Sequence, residues 1–255
     1  MKICRVEISP GKIEYGVVIE GEVYALQADA ESSRPGTKLG KLESLKLKSP
    51  VSPCKIVAVG LNYRDHAEEL KQKIPEEPLL FLKPKTAVID PGEPIIIPPQ
   101  SKRVDYEAEL AVVIYRPAKN VKPESANEYI LGYTCFNDVT ARDLQAKDGQ
   151  WTRAKGFDTF APIGPWIETE LDPMNLEIEA RLNGKVVQKS NTKNLIFPPA
   201  QLVSFISSVM TLEPGDVIAT GTPAGIGQIK NGDEIVVYIQ GIGELKNPVK
   251  AEREI

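Results

Sequence analysis

The chain has 255 residues, of which 42% are apolar and 26% charged, and its 31 basic and 35 acidic side chains give a net charge of −4. This composition indicates one large globular domain, or a main domain with a small appendage. The slightly acidic balance gives no reason to expect a nucleic-acid partner. The single histidine, His66, excludes sites that need two or three imidazoles, such as His-rich zinc centres and two-His iron triads.

Cysteine usage and hydropathy bear on location. Cys4, Cys54 and Cys135 are far apart and form no Cys-x-x-Cys pair, which favours a reducing compartment. The apolar runs are too short to span a bilayer, and Glu7 interrupts the start of the chain, so we predict neither a membrane partner nor a signal peptide. We therefore expect a cytoplasmic protein.

In chain order, residues 1–50 alternate short extended runs with turns and predict a small N-terminal β-rich domain. Within it, Glu20-Gly21-Glu22 is a predicted hairpin turn, and the polar stretch 31–50 is typical of a loop or linker. From 51 to 255 we predict a second, larger domain. Its strand-like runs are rich in Val, Ile and aromatic residues: KIVAVG, PLLFLK, EPIIIP, YEAELAVVIY, ILGYTCF, LEIEARL, KVVQK, DVIATG and DEIVVYI.

Two helices are predicted from capping signals. The first runs from Asn62 to about Gln72, with Asp65 and Glu68 spaced as in a capping box. The second runs over 140–148, with Thr140 as its N-cap and Gly149 as its stop signal.

A third helix is predicted over 199–210, with Leu202, Phe205, Ile206 and Val209 on one apolar face. Asn183-Gly184, between two strand-like runs, predicts a tight hairpin. Because strands dominate and do not alternate regularly with helices, we predict an α+β fold that is mainly β, and not a Rossmann fold.

The strand-like run DYEAELAVVIY carries a possible metal site. Residues two apart in a strand point to the same face, so Glu107 and Glu109 project together, and Asp105 shares their parity. Such like charges favour a bound cation, and oxygen ligands suit Mg²⁺ or Mn²⁺. The alternative is an ordinary solvated acidic face, and Glu177-x-Glu179 has the same pattern. The motif alone does not decide between them.

Asp138 lies between an apolar run and the second predicted helix. It becomes a third metal ligand if its strand end neighbours Glu107, and is otherwise an ordinary turn residue. Arg142 and Gln145 share a face of that helix. They are either surface residues or a pair that grips a carboxylate through the forked donors of the arginine.

His66 and Glu69 are three residues apart on the first predicted helix. The carboxylate can orient the imidazole, which is the arrangement of a water-activating dyad. The surrounding helix is strongly charged, so it is either a solvent-exposed helix with an incidental ion pair or a lid over bound substrate.

The glycine-rich segment 219–227 lacks the lysine of a phosphate-binding loop. Its backbone amides and the Thr222 hydroxyl could hold a carboxylate, although a plain turn explains the pattern equally well. Lys155 is a cation in a segment flanked by aromatic residues, and nothing else in the sequence distinguishes it.

Six segments, in order, resemble the fumarylacetoacetate hydrolase family, and the resemblance runs from about Ile56 to the C-terminus. They are NYRDHAEEL, FLKPKTAV, DYEAELAVVI, GYTCFNDVTARDLQ, AKGFDTFAPIGP and LEPGDVIATGTPAGIG. The resemblance implies a β-rich roll or sandwich with few helices, a catalytic domain over 51–255 and a homodimer. It is closest to the short acylpyruvase-like and hydroxyhepta-dienedioate isomerase-like branch.

The same resemblance implies roles for individual residues. The carboxylates of Glu107, Glu109 and Asp138 match metal ligands for Mg²⁺ or Mn²⁺. Positions around the bound oxo-acid and the catalytic dyad are also matched: Arg142, Gln145 and Thr222 for substrate binding, and His66, Glu69 and Lys155 for catalysis. Asn62 departs from the pattern, because fumarylacetoacetate hydrolases proper carry an aspartate ligand there. This departure points to oxo-acids smaller than fumarylacetoacetate.

We therefore expect a Mg²⁺- or Mn²⁺-dependent hydrolase that cleaves a carbon–carbon bond in 2,4-dioxo acids of the acylpyruvate type. A metal-bound enolate would form, and the dyad of Glu69 and His66 would activate water. The alternative is a decarboxylase or isomerase of 2-oxo dicarboxylates, such as oxaloacetate or the hydroxymuconate-type products of aromatic catabolism. A non-catalytic binding protein is the third hypothesis.

Overall fold

The computed structural model describes residues 1–26 and 36–252. Within these ranges the α-helices are α1 Arg64–Glu69, α2 Arg142–Asp148, α3 Thr152–Lys155 and α4 Pro199–Val209. The strands are β1 Lys2–Ser9, β2 Lys12–Ile19, β3 Glu22–Ala25, β4 Lys38–Lys41, β5 Lys46–Lys48, β6 Ile56–Gly60, β7 Leu79–Lys83, β8 Val88–Ile89, β9 Ile95–Ile97, β10 Val104–Tyr106, β11 Ala108–Ile114, β12 Ile130–Asn137, β13 Thr140–Ala141, β14 Ala161–Glu168, β15 Glu177–Leu182, β16 Lys185–Asn191, β17 Val217–Ala219, β18 Gly227–Ile229, β19 Glu234–Ile239 and β20 Gly243–Ala251. The predicted α+β, mainly β fold is confirmed.

In the described part of the chain the strands form three sheets. The large sheet has 12 strands, with the order β4-β3-β2-β1-β14-β12-β11-β17-β6-β7, β5 pairing with β1 and β8 with β14. A second sheet has the order β16-β15-β19-β20-β9, and a small one has the order β13-β10-β18. Strand β11 lies inside the large sheet, between β12 and β17.

Strand β11 is buried along its whole length. Leu110 and Val112 contribute to the larger hydrophobic core, while Ala111 and Val113 contribute to a second core. Alternate side chains of a strand point to opposite faces, so both faces of β11 are covered. This packing fixes the backbone immediately before and within the strand, where the candidate metal ligands lie.

Both predicted hairpins are confirmed. Glu20 and Gly21 (φ 48° and 81°) connect β2 to β3, and Asn183 and Gly184 (φ 51° and 79°) connect β15 to β16. Two consecutive positive φ angles are the requirement of the tight turn that matches the strand twist.

The prediction of a loop over 31–50 is wrong for residues 38–48. These residues form β4, a 3₁₀ turn at Leu42–Ser44 and β5. The polar side chains misled the prediction, because these strands pack only one face inward, with Leu39 and Leu47 against a small core beside β1. Residues 31–35 lie outside the described ranges.

The first two helices exist but begin later than predicted. Helix α1 begins at Arg64 without a side-chain cap, and α2 begins at Arg142 because Thr140 belongs to strand β13. The Asp143 side chain, in the first turn of α2, accepts hydrogen bonds from Ser101 Oγ (2.6 Å) and the Lys102 amide (2.9 Å). The predicted stop at Gly149 is correct, with φ 70°.

Helix α4 begins at the predicted residue, but its predicted apolar face is partly wrong. Leu202, Val203 and Ile206 are buried, whereas Val209 is 58% exposed. The helix ends at Val209, so its last turn extends past the core.

Two long strands, β14 and β20, were not predicted. Each contains proline, which ordinarily argues against a paired strand. Strand β14 nevertheless lies between β1 and β12, and its pairing with β12 is irregular, with a register shift between Tyr133 and Cys135. Tertiary packing therefore overrides the local proline signal.

Strand β1 pairs with β14 through Lys2–Glu168 and Ile3–Ile167, so the strands of residues 1–50 extend the large sheet. The division at residue 50 stays a prediction. Within residues 1–26 and 36–252, no helix has the length and apolar character needed to cross a membrane.

The position of the buried face of α4 can be tested by shortening individual side chains to alanine. Leu202 is fully buried, so Leu202→Ala should lower the free energy of unfolding by about 2–5 kcal/mol. Val209→Ala, at an exposed position of the same helix, should change it by no more than about 0.5 kcal/mol. Urea denaturation measures both values, and equal losses would contradict the observed face.

Candidate metal centre and active site

Three carboxylates meet where β11 begins. Glu107 occupies the break between β10 and β11, and Glu109 is the second residue of β11. Strand β12 runs antiparallel to β11 and pairs Asn137 with Ala108, so the next residue, Asp138, lies beside Glu107. The Asp138 amide donates to the Glu107 carbonyl oxygen (2.9 Å). The sheet register therefore brings together residues about 30 positions apart.

These carboxylates are buried, with exposures of 6% for Glu107 and 1% for both Glu109 and Asp138. One oxygen from each lies within 4.8 Å of the others. The alternative of a solvated acidic face is thus wrong for Glu107 and Glu109. Asp105 was predicted to point to the same face as Glu107 and Glu109, but it does not belong to this group. Its carboxylate contacts Arg103 and Arg142 instead.

The other Glu-x-Glu pair is a useful contrast. Glu177 is exposed, as expected for a solvated face. Glu179 is 6% exposed, so a solvated position is wrong for it. Its carboxylate is neutralised by Arg181 (2.8 Å) and Lys189 (3.0 Å).

Two buried lysines donate hydrogen bonds to this carboxylate group. Lys155 Nζ, at the end of α3, donates to Glu107 Oε2 (2.9 Å) and Asp138 Oδ2 (2.6 Å). Lys83 Nζ, at the end of β7, donates to Asp138 Oδ1 (2.5 Å) and to the Val139 carbonyl oxygen (3.1 Å). Sequence reasoning missed Lys83. The available signal was a lysine closing the apolar run Leu79–Lys83.

The electrostatics of the group favour a bound cation. Burial disfavours the ionised form of Glu107, but the adjacent Lys155 and Arg142 outweigh it and lower the pKa to about 2. Burial, together with repulsion from Asp138 and Glu107, holds the pKa of Glu109 well above its usual value. The Gly221 amide, which donates to Glu109 Oε2 (2.8 Å), only partly offsets this effect. An all-oxygen donor set with one unneutralised carboxylate fits Mg²⁺ or Mn²⁺.

Arg142 and Gln145, on α2, contact each other, with Arg142 Nη1 donating to Gln145 Oε1 (2.7 Å). Arg142 also donates from Nε to Asp105 Oδ2 (3.1 Å) and from Nη2 to Glu107 Oε1 (2.5 Å). The prediction that Arg142 and Gln145 share a face of this helix is therefore correct. Asp105 anchors the guanidinium beside the carboxylate group, and carboxylate binding by the pair stays a prediction.

Helix α1 supplies the predicted dyad. His66 Nδ1 donates to Glu69 Oε2 (3.0 Å), and Glu69 Oε1 accepts from the Gly225 amide (3.1 Å). His66 is only 6% exposed, so this face of α1 is not solvated. Arg64 Nη1 donates to the Leu195 carbonyl oxygen (2.9 Å), and Ser190 Oγ donates to Asp65. The helix is thus docked at both ends.

Asn62, which departs from the family pattern, directs its side-chain hydrogen bonds away from the three carboxylates. Its Nδ2 donates to the carbonyl oxygens of Phe197 (3.0 Å) and Thr220 (2.7 Å), while Oδ1 accepts from the Phe197 amide (2.8 Å). It is fully buried. This residue therefore ties two loops together through its amide and lies outside the carboxylate group.

A cavity of about 140 Å³ joins these elements. Glu69 does not line the cavity itself but hydrogen-bonds to the imidazole of His66, which does. The other eight residues predicted from the sequence all line it: His66, Glu107, Glu109, Asp138, Arg142, Gln145, Lys155 and Thr222. Phe81 and Trp151, which were not predicted, form an apolar wall with ring centroids 5.1 Å apart. Lys155 Nζ lies 5.0 Å from the Phe81 ring centroid.

The metal assignment can be tested by isosteric replacement. Glu109→Gln removes one charge from the buried group and should weaken Mn²⁺ binding by about 100-fold or more, since even changes outside the ligand set cost 10–100-fold. Glu177→Gln is the matched control from the other Glu-x-Glu pair and should leave the affinity unchanged. Isothermal titration calorimetry measures both, and Mn²⁺ binding at full affinity in Glu109→Gln would contradict the site.

Comparison with known proteins agrees with this architecture. The family model described as fumarylacetoacetate (FAA) hydrolase C-terminal matches residues 55–250. A mitochondrial oxaloacetate tautomerase from Rattus norvegicus is 42% identical over 213 residues, which cover 79% of this chain and 68% of that protein.

Two solved structures are similar over nearly the whole chain. A 5-carboxymethyl-2-hydroxymuconate delta-isomerase from Mycobacterium smegmatis has a TM-score of 0.89 and 45% identity, with 100% of each chain covered. A maleylpyruvate hydrolase from Sphingobium sp. SYK-6, in complex with manganese(II) and pyruvate, has a TM-score of 0.83 and 29% identity, covering 99% of this chain and 100% of its own. The carboxylate group, the collinear motifs and these matches lead to one conclusion: the chain belongs to the fumarylacetoacetate hydrolase family and is an enzyme of that superfamily.

Proposed function

We propose that this enzyme uses Mg²⁺ or Mn²⁺ to move protons on small 2-oxo dicarboxylic acids, catalysing keto–enol interconversion or a double-bond shift. The observation that carries the proposal is that His66, held by Glu69, faces the same small cavity as Glu107, Glu109 and Asp138. The names of two relatives, a tautomerase of oxaloacetate and an isomerase of a hydroxymuconate, support this reaction class.

The size of the cavity supports a small substrate. Its volume of about 140 Å³ is below the roughly 300–1,000 Å³ of a typical ligand pocket. The apolar wall of Phe81 and Trp151 fits the carbon skeleton, and Arg142 and Thr222 would hold the carboxylate ends.

Glu107, Glu109 and Asp138 would hold the metal ion. When bound, the ion supplies Lewis acidity that polarises the 2-oxo group and acidifies the hydrogens on the adjacent carbon. Lys155 bridges Glu107 and Asp138, and its ammonium group stabilises negative charge that develops on the substrate oxygen.

His66 moves the proton. Because Glu69 accepts from Nδ1, the other ring nitrogen, Nε2, is the one positioned to accept a proton. Nε2 would take a proton from the carbon next to the oxo group and return it to the resulting enolate, either at the oxygen or at a distant carbon. The first outcome is tautomerisation and the second is isomerisation, and neither changes the composition of the substrate.

Hydrolysis of an acylpyruvate is the second candidate. The same base-and-orienter pair suits the deprotonation of water, and the manganese-containing maleylpyruvate hydrolase relative supports it. Water would add to the distal acyl carbonyl, and cleavage of the carbon–carbon bond would leave pyruvate and an acid.

The reaction class can be decided with purified protein and Mn²⁺. Relative to Mn²⁺ alone, we expect accelerated deuterium uptake from D₂O at C3 of oxaloacetate, followed by NMR, without additional release of CO₂. Acetylpyruvate should yield no acetate. Formation of pyruvate and acetate from acetylpyruvate would establish the hydrolase, and CO₂ release from oxaloacetate faster than with Mn²⁺ alone would establish a decarboxylase. Either result would overturn the tautomerase or isomerase assignment.

Variants of the dyad test the proton-transfer role. His66→Gln should lower kcat by about 10²–10⁴-fold, the usual contribution of a general base, while Mn²⁺ affinity stays unchanged. Glu69→Gln should lower kcat to a smaller extent.

Glu68→Gln is the matched control, because Glu68 is the exposed neighbour of Glu69 on α1. It should leave kcat unchanged within about twofold. Undiminished turnover in His66→Gln would remove the dyad from the mechanism, since the chain contains one histidine.

A further inference from the structure

Gln188 lies directly behind Thr222, outside the cavity. It is the fourth residue of β16 and is 1% exposed. Its Nε2 donates to Thr222 Oγ1 (2.9 Å) and to the Pro223 carbonyl oxygen (2.8 Å), and its Oε1 accepts from the Ala108 amide (3.0 Å). Ala108 stands between the carboxylates Glu107 and Glu109. One buried amide thus links the metal-ligand strand to the loop that carries Thr222.

The orientation of this amide is determined by its partners. A backbone N–H can only donate and a backbone carbonyl can only accept. Turning the amide over would place its NH₂ group against the Ala108 N–H and its oxygen against the Pro223 carbonyl, leaving buried groups unpaired. The amide oxygen therefore faces Ala108, and both N–H groups face the loop.

This orientation determines what Thr222 can do. Because Gln188 donates to Thr222 Oγ1, the hydroxyl hydrogen of Thr222 must point to another acceptor. Among the described residues, the Thr222 side chain has no hydrogen-bond partner other than Gln188. Thr222 lines the cavity, so its hydroxyl is available there as a donor.

The loop is held close to this strand. Gly225 has φ 95°, and a Cβ atom at that position would lie 2.5 Å from the Val187 carbonyl oxygen and 3.3 Å from Gln188 Cγ. The loop therefore packs against the backbone of β16 beside Gln188. This contact keeps the Gln188 amide next to the Thr222 hydroxyl.

We infer that Gln188 is a positioning residue that makes Thr222 a hydrogen-bond donor to the substrate, so that this end of the cavity selects an anionic oxygen acceptor. The inference rests on the proposed function, in which Thr222 holds a carboxylate. A hydrogen-bond donor in this position favours a carboxylate over a group that presents its own N–H, because two facing donors leave both groups unpaired.

A double-mutant cycle with pyruvate as the probe tests the inference on the Mn²⁺-loaded protein. Methionine is neutral and similar in length to glutamine. Gln188→Met should raise the Kd for pyruvate about tenfold, which corresponds to the loss of one hydrogen bond to a charged group. In the Thr222→Val background the same change should raise Kd less than about twofold, because there is no hydroxyl left to orient. Calorimetry measures the four dissociation constants.

Two measurements separate positioning from damage to the fold. Gln240→Met is the matched control, since Gln240 also accepts from a strand amide, that of Glu177, but lies outside the cavity. It should leave pyruvate binding unchanged. If Gln188→Met does not fold, Gln188→Glu replaces it in the cycle, because this near-isosteric change keeps the acceptor for Ala108 and removes the donor to Thr222.

Each outcome has a defined meaning. Equal weakening by Gln188→Met in both backgrounds, or no weakening in either, would overturn the positioning role while leaving the proposed function intact. If the unmodified protein binds Mn²⁺ but neither binds pyruvate nor acts on oxaloacetate, the proposed function fails, and the inference fails with it. A tenfold effect that disappears in Thr222→Val supports the inference.

Discussion

The mutual repulsion of three buried carboxylates is the constraint on which the rest of this structure depends. Glu107, Glu109 and Asp138 each lose solvation on burial, and Asp138 and Glu107 together oppose the ionisation of Glu109. Such a group persists only when cations and amide donors oppose the repulsion. Lys155 supplies a cation, and Lys83 and the Gly221 amide supply hydrogen-bond donors. The remaining excess of negative charge favours a divalent cation.

The surrounding architecture keeps this group rigid. Strand β11 is covered on both faces and paired on both edges, so the carboxylates cannot move apart to relieve their repulsion. The chemistry is divided between this rigid strand and shorter elements around it. Helix α1 brings the imidazole, α3 brings Lys155, and the loop after β17 brings Thr222. Hydrogen bonds such as that from the Gly225 amide to Glu69 join those elements.

Much of the fold was predictable because local patterns and tertiary packing agree. The apolar runs form strands, and the two dipeptides with positive φ form the hairpins. Predictions failed where the local sequence pattern and the tertiary packing disagree. Strands β14 and β20 contain prolines, and β4 and β5 look polar because they pack one face only. The first turns of α1 and α2 were misplaced, since α1 begins without a side-chain cap and Thr140 belongs to strand β13.

The sequence by itself determined the family and which side chains are candidates for its chemistry. The order of its motifs indicated the family and the nine site residues, and its one histidine restricted general-base catalysis by an imidazole to His66. Only the tertiary structure showed why the first of two identical Glu-x-Glu pairs, and not the second, forms a buried carboxylate group. Glu107 and Glu109 lie beside Asp138 in the sheet register, whereas Glu179 lies between Arg181 and Lys189. The roles of Lys83, Asn62 and Gln188 were equally beyond the sequence. The physical reason is that burial and charge balance arise from partners distant in the chain, which no local pattern contains.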